Sequence, residues 1–325
     1  MLPTKTSDAR ETADDVKGTV SAHSSDTQTL LNLQRDVPTP SGSENAPPPE
    51  PGMQVGRFVL REKLGEGVSC HVFCGWDSAT STRVAMKILN WSNVFDRPAA
   101  FKQLRMEAAG LARVKHPCVV RFIDFAFDPR WPYLVTEFFE GQTLGEILRA
   151  GGALPPAWSV YIVSQMVDAL GAVWRSGLVH RDVKPDNIMI GADGRIKLID
   201  FGLAKADALQ AKELAGAELA GTAAYISPEQ AKDASLVDKR ADIYSLGVTL
   251  YEALTGRLPF EGRNRMQVIF QHLNTPPVPP SERVPEIPAL ASDVCLWMLA
   301  KDPNDRPQNY EELRQAFDTV LSVVR

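Results

Sequence analysis

The sequence predicts an α+β chain of two lobes, a small antiparallel β-sheet lobe carrying one helix followed by a larger helical lobe. Three observations predict it. Between residues 57 and 89, three β-rich stretches are separated by glycine-rich or Ser/Thr turns. After Gly141 the apolar spacing becomes helical, most plainly where Val160, Val163, Val167, Leu170 and Trp174 recur between Pro156 and Arg175. Residues 1–54, by contrast, are rich in Ser, Thr, Asp and Pro and too poor in large apolar side chains to bury a core.

In chain order, residues 1–54 are expected to be a disordered tail, 55–140 the strand-rich lobe and 141–325 the helix-rich lobe, joined near residues 137–141. The first lobe should hold strands at 57–64, 70–77 and 82–89, a helix at 101–114, and two further strands at 119–127 and 133–138. In the second lobe, Pro156 suits a first helical turn and Gly177 the position just past a last one, which frames a helix over 156–175. Further helices are expected at 238–254, 266–273, 289–300 and 310–324.

Composition narrows the functional classes. Of the 325 residues, 44% are hydrophobic and 23% charged, so fibrous and wholly disordered classes are excluded. Thirty-five basic side chains against 40 acidic ones leave a net charge of −5, which argues against nucleic acid as a general partner. No window resembles a membrane span or a secretory signal, so a cytoplasmic location is expected. The cysteines Cys70, Cys74, Cys118 and Cys295 make no CxxC pair and read as buried thiols rather than a zinc site; a redox role for Cys70 or Cys74 is the weaker alternative.

The residues that carry chemistry fall into two groups. Gly65-Glu66-Gly67-Val68-Ser69-Cys70-His71-Val72 lies between the first two strands, where glycines let backbone approach a phosphate chain. Val84-Ala85-Met86-Lys87 follows, with an ammonium placed to reach phosphates and Glu107 on the next helix able to pair with it. The second group is His180-Arg181-Asp182-Val183-Lys184-Pro185-Asp186-Asn187, then a turn at Ala192-Asp193-Gly194, then Asp200-Phe201-Gly202. One loop thus supplies a carboxylate, an ammonium and an amide within six residues, and the next a second carboxylate, a set suited to orienting an acceptor hydroxyl and holding Mg²⁺. Gly221-Thr222-Ala223-Ala224-Tyr225, Ser227-Pro228-Glu229 and Asp242 stand downstream.

In order and spacing, these motifs resemble those of a Hanks-type (eukaryotic-like) bacterial serine/threonine protein kinase over about residues 56–320. The resemblance implies the bilobal protein-kinase fold, and ATP and Mg²⁺ as cofactors. It implies that Lys87 contacts the α- and β-phosphates and pairs with Glu107. Asp182 would orient the acceptor hydroxyl and take its proton, Lys184 would neutralise charge on the phosphoryl group in flight, and Asn187 and Asp200 would hold Mg²⁺. It places Gly65 and Gly67 over the phosphates, and adenine between Leu64, Val72, Ala85 and Met189. Backbone groups of Glu137 and Phe139 would bond the adenine edge, and Thr136 would guard the inner pocket. Glu229 is implied to pair with Arg306 and Asp242 to brace the catalytic loop. Lys184 together with Gly221-Thr222 matches the Ser/Thr-specific pattern, with Thr222 beside Asp182 and Lys184. Residues 221–229 would be the platform for a peptide acceptor, so the partners expected are protein substrates with Ser/Thr hydroxyls.

Two features depart from the family pattern. Cys70 replaces the third glycine of the phosphate loop, which keeps a nucleotide-binding pseudokinase as an alternative. Between Leu203 and Ala220 there is no Ser, Thr or Tyr, although Arg181 would ordinarily meet a phosphate formed there. Glu213 or Glu218 offers a standing negative charge in its place, against the plainer reading of solvated glutamates. Leu209, Leu214 and Leu219 step about 140° around a helix and share no face. Thr27, Thr29, Thr39, Ser41 and Ser43 make the tail a candidate for autophosphorylation, to be read by a phosphothreonine-binding partner; a solubilising linker is the simpler reading. A monomer or weak homodimer is expected, and a soluble enzyme or a piece of a longer, membrane-anchored one fit equally.

Overall fold

A computed structural model describes residues 47–324 apart from positions 68, 92, 93, 95, 129, 201–222 and 234–236. Thr222, Phe201 and Gly202, the 203–220 stretch with Glu213 and Glu218, and the hydroxyls of the tail lie outside the described residues.

The strand-rich lobe is a six-stranded sheet of order β1-β2-β3-β4-β6-β5. Its strands are β1 (Gln54–Val55), β2 (Phe58–Glu66), β3 (Cys70–Asp77), β4 (Thr82–Leu89), β5 (Phe122–Ala126) and β6 (Tyr133–Glu137), each pair antiparallel. Helix α1 (Arg97–Leu111) packs on it. Strand periodicity sends alternate residues to opposite faces. Phe73, Val84, Met86, Ile88 and Val135 therefore join Val55, Phe58 and Leu60 in one apolar cluster, while Cys70, Leu89 and Leu134 pack with Phe101, Leu104 and Ala108 of α1 in another.

Three sequence expectations shift here, each for a local reason. The tail was expected to run to residue 54, yet the chain packs from Pro47, whose carbonyl accepts from Trp131 Nε1 at 3.0 Å, and Val55 is buried at the end of β1. Helix α1 begins four residues before the expected 101, because Asp96 caps it by accepting from the Ala99 N–H and Pro98 suits the first turn. The strand expected over 119–127 is confined to Phe122–Ala126, because its first residues turn to the other lobe. There Val120 N–H donates to Leu198 O at 3.0 Å and Leu198 N–H to Cys118 O at 2.8 Å.

The second lobe starts with a three-stranded sheet, β7 (Gln142–Thr143), β8 (Ile188–Ile190) and β9 (Ile196–Leu198), in order β7-β8-β9. Its helices are α2 (Leu144–Gly151), α3 (Pro156–Arg175), α4 (Pro228–Lys232), α5 (Lys239–Thr255), α6 (Arg265–Asn274), α7 (Pro280–Arg283), α8 (Ala289–Met298) and α9 (Tyr310–Val323). The α3 bounds match expectation, and Val160, Val163, Val167 and Leu170 are fully buried against α5 and α9. Trp174, at the same spacing, instead lies partly exposed under the Lys239 ammonium, 4.9 Å from its ring. Among the described residues, no helix is long and apolar enough to cross a membrane.

Candidate active site

Cross-strand register assembles the upper wall of the site. Val72 pairs with Lys87 across β3 and β4, Ala85 pairs with Thr136 across β4 and β6, and Lys87 pairs with Leu134, so these side chains share one face of the sheet. Helix α1 covers only the Cys70, Leu89 and Leu134 end of that face. Val72, Ala85 and Thr136 are left half-buried, with Leu64 exposed at the rim. In the second lobe Met189, half-buried, stands on β8 between Thr143 and Lys197. These half-buried apolar side chains have the chemistry that a flat heterocycle needs. The Phe139 N–H has no hydrogen-bond partner among the described residues.

Beyond these side chains the residues become charged. Lys87 Nζ lies 2.9 Å from both carboxylate oxygens of Glu107 on α1 and 2.5 Å from Asp200 Oδ1 of the second lobe. Burial disfavours the Lys87 ammonium, but Asp200 and Glu107 outweigh it and hold its pKa well above the ordinary value. Burial raises the Glu107 carboxyl, and the Lys87 ammonium offsets only part of that rise. A Cβ added at Gly65 would meet nothing within 4 Å, so the loop above these charges leaves open space.

Residues 180–187 are anchored by buried side chains such as Val183 and oriented by hydrogen bonds. Asn187, on a short 3₁₀ turn (Pro185–Asn187), donates through Nδ2 to Asp182 O at 2.7 Å and Asp182 Oδ2 at 2.9 Å. Both amide hydrogens are thereby spent on Asp182, and Asn187 Oδ1 is left as an oxygen donor suited to a hard cation. Lys184 Nζ lies 3.3 Å from Asp182 Oδ2. The Ile199 N–H donates to Asn187 O at 2.9 Å, bringing Asp200 beside this turn. Arg181 and Asp200 carry left-handed φ angles of 67° and 57°, each costing about 1–2 kcal/mol for a residue with a side chain. Asp242 on α5 offsets the first by accepting from the His180 N–H at 2.7 Å and the Arg181 N–H at 2.8 Å. Gln230 on α4 fixes the Arg181 carbonyl at 3.0 Å.

The expected pairs Lys87 with Glu107, Glu229 with Arg306, and Asp242 with the catalytic loop are all present. The redox reading of the cysteines is not supported: burial pushes the Cys70 thiol up to about 11 and raises that of Cys74. Sequence reasoning missed the second task of Glu137. Its carboxylate takes Lys197 Nζ at 2.6 Å and the Arg121 N–H at 2.9 Å, tying the strand junction to β9 and so to Asp200. It also missed the Arg149 to Asp186 pair at 2.8 Å beside the catalytic loop.

The donor set fits a nucleotide triphosphate with a divalent cation. The half-buried apolar side chains suit a planar ring, open space lies at Gly65, Lys87 carries positive charge, and the Asn187 and Asp200 oxygens suit a hard cation.

Residues 58–317 match the protein kinase domain family. The serine/threonine-protein kinase PknB of Mycobacterium leprae is 39% identical over 270 residues, 82% of this chain and 43% of that protein. PknL of Mycobacterium tuberculosis is 37% identical over 259 residues, 80% of this chain and 64% of its own length. The chain thus spans less than two thirds of the length of either relative. Among solved structures, Rad53 1–466 in complex with AMP-PNP superposes with a TM-score of 0.65 at 27% identity, covering 79% of this chain and 64% of that one. The Mycobacterium tuberculosis PknI kinase domain gives 0.64 at 24% identity over 83% of this chain and 98% of its own, a likeness of fold.

Proposed function

The chain belongs to the protein kinase family, and from that premise we propose that it is a serine/threonine protein kinase, transferring the γ-phosphoryl group of ATP to Ser or Thr hydroxyls of protein substrates in the cytoplasm. The observation that carries the reading is Lys87, bonded at once to Glu107 of the strand-rich lobe and Asp200 of the helical lobe, above an Asp182 whose carboxylate is oriented by Asn187.

In this reading the adenine lies between Leu64, Val72, Ala85 and Met189, its edge meets the backbone at Glu137 and Phe139, and Thr136 bounds the inner pocket. Gly65 and Gly67 let the loop backbone approach the phosphates, and Lys87 orients them. Asp182, buried and fixed by Asn187, holds the acceptor hydroxyl in line and takes its proton. Lys184 stands close enough to offset charge on the transferred group. Mg²⁺ held by Asn187 and Asp200 would neutralise phosphate charge. Phosphoryl transfer asks mainly for alignment and charge neutralisation, which is what Lys, Asp and Asn supply here. Thr222 is proposed to sit by Asp182 and Lys184.

The test is incubation with labelled ATP and Mg²⁺, alone and with a generic basic protein, followed by phosphoamino-acid analysis. Label on serine or threonine is expected. Label on tyrosine, or on small acceptors only, would overturn the reading.

A further inference from the structure

Residues 223–227 lead from the undescribed stretch into α4, and they run beside the catalytic loop: Gln230 of α4 bonds Arg181 O, and Tyr225 bonds Glu252 near Asp186 and Arg149. In the kinase reading proposed above, a segment so close to Arg181 and Asp186 is placed to steer an acceptor chain toward Asp182. What holds this segment is visible from both ends. At its far end Glu229 is clamped by Arg306, as expected from sequence. At its near end the Ala224 carbonyl is bonded by His272 Nε2, 3.0 Å away on α6.

We propose that His272 is a positioning residue for the acceptor polypeptide, holding residues 223–227 in place through a directed relay that begins at Tyr244. The inference rests on the kinase reading above. The direction follows from the atoms. A carbonyl only accepts, so Nε2 carries the ring proton and Nδ1 is the acceptor of a neutral imidazole. Tyr244 on α5, 2.9 Å from Nδ1, must then donate its hydroxyl proton to it. The Tyr244 oxygen is left to accept, and Lys301 Nζ lies 3.5 Å from it, itself bonded to Gln271 O at 3.1 Å. Each group in the chain from Lys301 through Tyr244 and His272 to Ala224 therefore has one role.

The surroundings keep the ring in that state. His272 is fully buried, with the edge of Phe260 4.9 Å from its centroid. The charged groups around it are the cations Lys301, over Phe260 at 4.1 Å, and Arg306, whose guanidinium stacks on Tyr244 at 4.8 Å and pairs with Glu229. Burial first and Lys301 second lower the imidazole pKa to about 4. A second ring proton would turn Nδ1 into a donor facing the Tyr244 hydroxyl and undo the relay.

The experiment measures kcat, acceptor-peptide KM, ATP KM and ATP hydrolysis without acceptor for the unaltered protein, His272→Phe, His272→Gln and Tyr244→Phe, with melting temperature recorded for each. The expected result is an acceptor KM raised about tenfold in His272→Phe, the size of one lost buried hydrogen bond, with ATP KM and acceptor-free hydrolysis within about twofold. His272→Gln keeps an N–H for Ala224 and should recover most of the loss; Tyr244→Phe should fall between. An unchanged acceptor KM in His272→Phe overturns the proposal, as does a joint fall of kcat, acceptor-free hydrolysis and melting temperature that glutamine fails to rescue. Absence of transfer by the unaltered protein defeats the kinase reading and this role with it, whereas transfer that His272→Phe leaves untouched defeats this role alone.

Discussion

Two ion pairs in the molecule use the same chemistry for opposite ends. Lys87–Glu107 stands in the cleft, where the lysine side chain is 24% exposed and shares its charge with Asp200, itself 47% exposed. Arg306–Glu229 lies within the helical lobe, where the arginine side chain is 0% exposed. All five of its N–H groups are directed to acceptors: Glu229 Oε1 and Oε2 and the carbonyls of Arg240, Ala300 and Lys301. The cleft pair is three-cornered, with Glu107 buried and only the Asp200 corner exposed, so a phosphate can reach Lys87 from the Asp200 side. The buried pair is saturated and has no room for a ligand. The difference teaches that satisfaction, rather than charge, separates scaffold from site.

The largest effect should come from breaking the scaffold pair. Arg306→Ala leaves Glu229 without its partner and should cost about 3–5 kcal/mol, read as a lowered urea midpoint or loss of soluble protein. Lys87→Met should weigh the other way, reducing transfer about 10²- to 10³-fold with a smaller loss of stability than Arg306→Ala, checked by kinetics and calorimetry on one sample. If both variants lose stability equally, the contrast between the pairs is broken.

A pH series sharpens the same distinction at His272. Burial and Lys301 set its pKa from an ordinary 6.5 to about 4, so between these values the unfolded chain binds a proton that the folded one refuses. Its stabilising effect is fully present above about pH 6.5 and is lost as pH falls toward 4, by an amount on the order of 3 kcal/mol. Urea midpoints at pH 7 and 4.5 should show a smaller acid-side loss in His272→Gln. The smallest effect is expected at Thr143, which caps α2 in a reciprocal pair with Glu146. Thr143→Ala should cost about 1 kcal/mol by denaturant melt and leave turnover alone.

Much of the fold and of the candidate site is legible because it is local in sequence. Helix α3 follows from one apolar stripe between a proline and a glycine, and Asp182, Lys184 and Asn187 lie within one loop. What stayed hidden is long-range. The strands of the small second sheet are two or three residues long, too short to show alternation. Val119 and Val120 read as strand residues of the first lobe and instead meet Leu198 of the second. His272 lies 48 residues from Ala224 and 28 from Tyr244, so only the folded placement of α6 beside α4 and against Tyr244 gives it a task. The pairing of Glu137 with Lys197 spans 60 residues and is hidden in the same way. The Asp96-Arg97-Pro98 start of α1, by contrast, was a readable capping signal that apolar periodicity alone passes over.

The central claim is that Asp182 serves transfer rather than nucleotide binding. Nucleotide affinity and phosphate incorporation should be measured side by side in the unaltered protein and in Asp182→Asn. The account predicts affinity kept within about twofold and incorporation reduced at least about 10³-fold by the substitution. An unaltered protein that binds ATP yet moves no phosphate, or an Asp182→Asn variant that transfers as well as its parent, would contradict it.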